Sequence, residues 1–234
     1  MYKFLLASLL LFPLPLLAGT SARSTAAAKP AAPAGDPEVL LHTSMGDITL
    51  ELFPDKAPKS VANFLRYVRE GFYAGTVFHR SIPGYLIQGG LYNRQLQPRR
   101  TYAPVPCEAN NGLSNLRGTI AVARGADPNS GTSQFFINLV DNRRLDYAGN
   151  QSDLTWGYAV FGKVIKGMNV VDKIAALPTR PLGPFAADVP NPLVVIESAS
   201  VLDTTAPADA SASVEATAPA AAPADKPAKG AAHG

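Results

Sequence analysis

Between residues 37 and 203 the apolar side chains gather in many short runs separated by glycine, proline and polar residues, and only two stretches show the longer period of an amphipathic helix. That pattern limits the fold more than any other feature, because a short run buries its apolar side chains by pairing with other strands. Residues 39–43 and 48–52 flank Ser44-Met45-Gly46-Asp47 and predict a hairpin: the second run alternates apolar with polar, and Gly46 permits a positive φ. From Pro58 the period changes. Val61, Phe64, Leu65 and Val68 recur at i, i+3, i+4 and i+7, so one helical face is apolar, with Pro58 suited to its first turn and Gly71 to its end. A second helix fits Met168, Val171, Ile174 and Ala175 and stops near Pro178. Further strands are predicted at 76–79, 85–88, 118–123, 134–139, 158–164 and 193–201. Many strands with two helices predict a mainly β fold, a barrel or a sandwich, with the helices covering openings or a face. The pattern alone does not choose between the two.

The ends of the 234-residue chain differ in kind from its middle. Met1-Tyr2-Lys3 precedes an apolar run over 4–18, interrupted by Pro13 and Pro15 and followed by small residues. This is the pattern of a secretory signal over 1–22, with cleavage points after Ala18 or Ala22, and it predicts export, to a periplasm in the first instance. An uncleaved anchor is the rival reading, against which the short run and its helix-breaking prolines argue. After cleavage no stable membrane insertion is expected. Residues 23–36 and 204–234 are rich in alanine and proline, nearly free of large apolar groups, and predict a disordered linker and a disordered tail. That leaves 37–203 as one domain, long enough to bury a core and without an internal repeat.

Several function classes drop out. Residues 36–203 carry 16 Lys and Arg against 15 Asp and Glu, a net of +1, so no nucleic-acid partner is predicted. Cys107 is the only cysteine, which rules out an intrachain disulfide, and with no histidine near it in sequence a buried or idle thiol is the favoured reading. His42 and His79, the only histidines of the domain, fall on predicted strands without metal-ligand spacing; no metal site is predicted. Neither a phosphate-binding P-loop, nor G-x-G-x-x-G, nor G-x-S-x-G occurs, and no cofactor is expected.

What remains distinctive is a set of strings: GDITLELFPDKAPKSVANFL, GFYAGTVFHRSIPGYLIQGG, GTIAVARGADPNSGTSQFFINL and GYAVFGKVIKGMNVVDKI. Together they resemble the cyclophilins, the peptidyl-prolyl cis-trans isomerases, over nearly all of 37–203, with F-H-R-x-I-P-G-[FY]-x-I-Q-G-G, T-S-Q-F-F-I and V-F-G-K-V in the family's order. The resemblance is closest to the secreted bacterial branch. It implies a closed eight-stranded antiparallel β-barrel that is capped by two α-helices and acts on proline-containing peptides; unfolded exported proteins are the expected partners, and a monomer is expected.

The chemistry implied by that resemblance has a physical basis. Rotation about a peptide bond meets a barrier of ~18–20 kcal/mol, because the nitrogen lone pair is delocalised into the carbonyl. X-Pro isomers are nearly balanced in energy yet interconvert over tens to hundreds of seconds. At the twisted midpoint the proline nitrogen becomes a pyramidal, basic acceptor. A fixed donor that grips this midpoint better than either planar end lowers the barrier without a covalent step. Arginine suits the task, being always charged and rich in donors.

The resemblance assigns that role to Arg80, with Gln88 steadying it and touching the substrate backbone. Tyr85, Leu86, Phe136 and Leu145 match the apolar seat for the proline ring. Gln134 and the backbone around Ala123 and Arg124 fall where the family binds the residues preceding proline. One extra residue lies between Ala123 and Gln134 relative to the commonest pattern, and the Arg124 side chain is read as meeting acidic substrates or as solvated. Two departures stand out in RRLDYAGNQSDLTWGYAVFG: Arg144 occupies the position of a common eukaryotic tryptophan, and Tyr158 that of a histidine. Trp156 is out of register. The missing tryptophan argues against strong cyclosporin binding, whereas Tyr158 closes one side of the seat. The stretch 91–106, with Arg94, Arg99 and Arg100, matches no catalytic motif and is read as shaping substrate access. The alternative is a non-catalytic, cyclophilin-like module or chaperone that binds proline peptides.

Overall fold

The computed structural model describes residues 35–202; the predicted leader, the linker up to residue 34 and the predicted tail lie outside the described residues. Among the described residues ten strands and two α-helices follow one another as β1 (Glu38–Thr43), β2 (Gly46–Leu52), α1 (Pro58–Arg69), β3 (Thr76–Ile82), β4 (Leu86–Asn93), β5 (Thr119–Val122), β6 (Phe135–Asn138), β7 (Val160–Lys166), α2 (Met168–Ala175), β8 (Thr179–Leu182), β9 (Phe185–Pro190) and β10 (Val194–Leu202). Eight of the strands close into a barrel in the order β1-β10-β3-β4-β6-β5-β7-β2, with every neighbour antiparallel. The choice between barrel and sandwich is thereby decided.

The predicted hairpin is β1–β2, with Gly46 at φ 123° and the Thr43 hydroxyl donating to the Gly46 carbonyl at 2.6 Å. Inside the barrel Leu41, Ile48, Leu50, Phe78, Ile87, Ile120, Phe135, Ile137 and Phe161 form one buried cluster. The helices close it with the faces read from the sequence. Val61, Phe64, Leu65 and Val68 of α1 are buried, and the Phe64 ring lies 5.2–5.7 Å from those of Tyr73, Phe135 and Phe161. α2 buries Val170, Val171, Ile174 and Ala175.

Strand β4 runs on past Gln88 to Asn93, beyond its predicted end. Its two glycines let the neighbouring strands close in: a Cβ on Gly89 would stand 3.0 Å from the Val77 carbonyl oxygen, and one on Gly90 (φ 89°) 2.9 Å from the Phe135 ring and the Ser133 carbonyl oxygen. The hairpin β8–β9 was not predicted at all. Pro181, Pro184 and Pro190 break the strand signal, and most of its side chains are exposed because it lies outside the barrel. Its few apolar groups, Leu182, Phe185 and Val189, pack on Val77, Tyr92, Leu96 and Val195 in a separate small cluster.

Candidate active site

A second apolar cluster lies on the outer face of the barrel, over β4, β5, β6 and β7. It comprises buried Leu86, Ala121, Ala123, Phe136 and Val160, with Tyr85, Leu113, Leu145 and Tyr158 packed against them. Strand alternation builds it. In the Q-F-F-I string the first phenylalanine, Phe135, points into the barrel core and the second, Phe136, points out. Phe136 has Gln88 as its partner on β4 and Ala121 on β5, and cross-strand partners share a face. Tyr158 closes the far side, its ring 5.5 Å from Phe136 at 79°.

Arg80 reaches this face through a bulge. On β3 Phe78 pairs with Gly89 and Arg80 with Gln88, so two steps on β3 match one on β4 and His79 is the extra residue. Without it Arg80 would follow Phe78 into the barrel; with it Arg80 stands beside Gln88. Arg80 Nη1 donates to Gln88 Oε1 at 3.5 Å, and Gln88 Nε2 donates to Gln134 Oε1 at 3.2 Å, a relay across β3, β4 and the start of β6. The Arg80 side chain is 44% exposed and borders a hollow of about 170 Å³. All ten predicted site residues meet here. Arg80, Tyr85, Leu86, Gln88, Ala123, Arg124, Phe136, Leu145 and Tyr158 line the hollow, and Gln134 joins through Gln88.

Buried amides hold the walls. Asn142 Nδ2 donates to the Tyr85 carbonyl at 2.9 Å and to Asn138 Oδ1 at 2.8 Å, while Asn115 Nδ2 donates to the Leu145 carbonyl at 3.1 Å. Asn138 Nδ2 in turn donates to Asn115 Oδ1 and to Thr119 Oγ1, so the three side chains fix the two loops that carry Tyr85 and Leu145.

The Arg124 side chain has a role that neither reading of it included. It is tied to the backbone: Nε donates to the Gly157 carbonyl at 2.9 Å, Nη1 to those of Gly125 and Ala126 at 3.0 Å, and Nη2 to that of Asp153 at 2.9 Å. Its guanidinium lies 4.8 Å over the Tyr158 ring, so it braces that wall. Trp156 packs on Tyr147 at 5.5 Å and does not line the hollow. In the stretch 91–106, Arg99 donates to the Phe72 and Ala74 carbonyls and straps the loop to the α1–β3 connection.

Two residues near Arg80 take places that the sequence reading did not foresee. Asp188, on the unpredicted hairpin, lies with Oδ2 3.8 Å from Arg80 Nε and takes a positive φ of 65°. His79 turns away, its ring 4.7 Å from Tyr92 and 5.1 Å from Phe185, with Nδ1 unpartnered. Burial, and then the charge of Arg80, lower its pKa to about 4, so it is neutral at pH 7. Burial also pushes the Cys107 thiol up, which keeps it protonated and a poor nucleophile.

The hollow therefore offers a permanent cation with directed donors beside an apolar, ring-sized seat, and no carboxylate, thiol or aliphatic hydroxyl among its lining residues. Such a site can donate hydrogen bonds to an amide that lies next to an apolar ring. The family model for "Cyclophilin type peptidyl-prolyl cis-trans isomerase/CLD" matches residues 38–201. Peptidyl-prolyl cis-trans isomerase A of Dickeya dadantii is 52% identical over 164 residues, covering 70% of this chain and 84% of that one. Isomerase B of Escherichia coli is 51% identical over 163 residues, covering 70% and 98%. Among solved structures, a Cryptosporidium parvum cyclophilin-type isomerase determined in the presence of the dipeptide Ala-Pro superposes with a TM-score of 0.57 at 26% identity, over 71% of this chain and 99% of that one. The chain belongs to the cyclophilin family and is a peptidyl-prolyl cis-trans isomerase.

Proposed function

We propose that the protein accelerates X-Pro rotation in exported proteins, most directly in a periplasm, and so assists their folding as a monomer. The observation that carries the reading is the Arg80–Gln88–Gln134 relay beside the Phe136 seat. In it Arg80 donates to the proline nitrogen as conjugation is lost, Gln88 holds Arg80 and the substrate backbone, and Leu86, Phe136, Leu145, Tyr85 and Tyr158 seat the ring. Gln134 and the Ala123–Arg124 backbone take the residues preceding proline. The Cryptosporidium isomerase, determined with Ala-Pro present, supports a proline-containing ligand for this seat. The apolar run over 4–18 and the small residues after it support export; the mass of the mature chain recovered from a host's periplasm tests this, and a retained leader in a membrane fraction contradicts it.

Two-dimensional exchange NMR on an Ala-Pro peptide tests the reaction. Cis and trans signals exchange on a sub-second scale with the unmodified protein, and Arg80→Ala slows that exchange on the order of 100-fold, the usual loss for one transition-state donor. Unchanged exchange in the variant removes Arg80 from the mechanism. Binding without faster exchange in the unmodified protein makes it a proline-peptide-binding module instead.

A further inference from the structure

Three guanidinium groups surround the seat, and they differ in what their donors do. Arg80 is held by Gln88 with Asp188 beside it. Arg124 spends its Nε, Nη1 and Nη2 donors on backbone carbonyls. Arg144 is exposed, lies 4.6 Å over the ring of Tyr85, and among the described residues makes no side-chain hydrogen bond and has no carboxylate paired with it. The nearest acids in sequence do not answer it. Asp146 accepts from the Ser114 hydroxyl, from the Asn115 N–H at 2.7 Å and from Asn115 Nδ2 at 3.1 Å, and Asp141 accepts from the Arg117 N–H at 3.0 Å. Stacking on Tyr85 restricts the Arg144 side chain while leaving the edges of its planar fork open, the arrangement that receives a carboxylate through two parallel hydrogen bonds.

Position along the groove decides which part of a ligand meets it. Ala123 and Tyr85 sit at opposite ends of β6: the Ala123 N–H donates to the Gln134 carbonyl at 3.0 Å, and the Leu139 N–H to the Tyr85 carbonyl at 3.0 Å, with Phe136 between. A chain whose pre-proline residues lie along Ala123 and Gln134, with its proline on Phe136, leaves over Tyr85. We infer that Arg144 selects X-Pro substrates that carry an acidic residue immediately after the proline, an inference that rests on the isomerase reading above. An acid before the proline gains less, since the cation at that end, Arg124, has four of its five N–H donors on backbone carbonyls and cannot offer a carboxylate the paired fork.

The test uses the full chain and two blocked peptides, Ala-Ala-Pro-Glu-Phe and Ala-Ala-Pro-Gln-Phe, at pH 7, with affinity read from amide shifts and turnover from exchange NMR. The Glu peptide is favoured roughly two- to fivefold, the range of an exposed ion pair. The preference shrinks in 1 M salt, where the screening length is about 3 Å. It falls to unity in Arg144→Gln and inverts in Arg144→Glu. Equal handling of the two peptides by the unmodified protein, or an unaltered preference in both variants, overturns the inference while leaving the isomerase reading in place. A preference in binding without any exchange supports the selection and overturns the isomerase reading; neither binding nor exchange overturns both.

Discussion

At the scale of single residues, the pair His79-Arg80 places two opposite environments side by side. The bulge sends Arg80 to the half-exposed rim and leaves His79, 3% exposed, against Tyr92 and Phe185. A histidine there is disfavoured as a cation by burial and by its charged neighbour, and its pKa of about 4 lies below the 6.5 of the unfolded chain. Between those values the unfolded chain binds the extra proton, so the native state is favoured in full above about pH 6.5 and loses stability as pH falls toward 4. The loss expected over that window is roughly 3 kcal/mol. Urea unfolding at a series of pH values measures it, and His79→Phe, which keeps a ring in the stack, flattens that part of the curve. Equal slopes in the two proteins would contradict the assignment. None of this was legible beforehand, because whether a strand histidine is buried depends on β8–β9, which its prolines hid.

At the scale of elements, α1 is begun by a residue far from it in sequence. Ala57 precedes the helix without a capping side chain, and Pro58 opens it, so the first N–H groups lack a local acceptor. Glu108 supplies one: Oε1 accepts from the Lys59 N–H at 3.0 Å, and Oε2 from the Ser60 N–H at 2.8 Å and the Ser60 hydroxyl at 2.7 Å. The negative charge also suits the positive end of the helix dipole. Glu108→Ala is expected to cost about 1–2 kcal/mol, read from the urea midpoint, with Glu108→Gln recovering part of the loss. An unchanged midpoint in the alanine variant means that water caps the helix equally well. The helix itself was legible, since Val61, Phe64, Leu65 and Val68 declare their face by spacing. Its cap was not, because nothing in the local sequence joins Glu108 to Ser60.

At the scale of the whole molecule, closure depends on strands that approach more closely than side chains normally allow. β7 pairs with β2 on one side and β5 on the other, and Gly162 is matched to Leu52 and Ile120. A Cβ at Gly162 would lie 2.4 Å from the Glu51 carbonyl oxygen and 3.0 Å from Leu52 Cδ2, so a larger residue must push β2 away from β7. Gly162→Ala is expected to lower stability by about 1–3 kcal/mol, the range of an overpacked core, with an unchanged urea m-value. A variant as stable as the parent would show that the seam opens freely. The site depends on the same closure: Arg80, Gln88, Phe136, Ala123 and Tyr158 are carried by or beside five consecutive barrel strands, from β3 to β7.

The sequence by itself determined the strands that alternate or carry unbroken apolar runs and the faces of both helices, and its short motifs, through the family resemblance they carry, picked out the ten residues around the seat. Periodicity and short motifs are local, and local signals survive in one dimension. The barrel's closure came from the family resemblance and not from periodicity, which left a sandwich open; only the tertiary structure decided that a bulge turns Arg80 outward, that Arg124 braces a wall while Arg144 keeps its fork open, and that a proline-rich hairpin backs His79 and brings Asp188 toward Arg80. Each of these follows from pairing or packing between residues distant in the chain, where the free energy belongs to the contact and no single segment carries its mark.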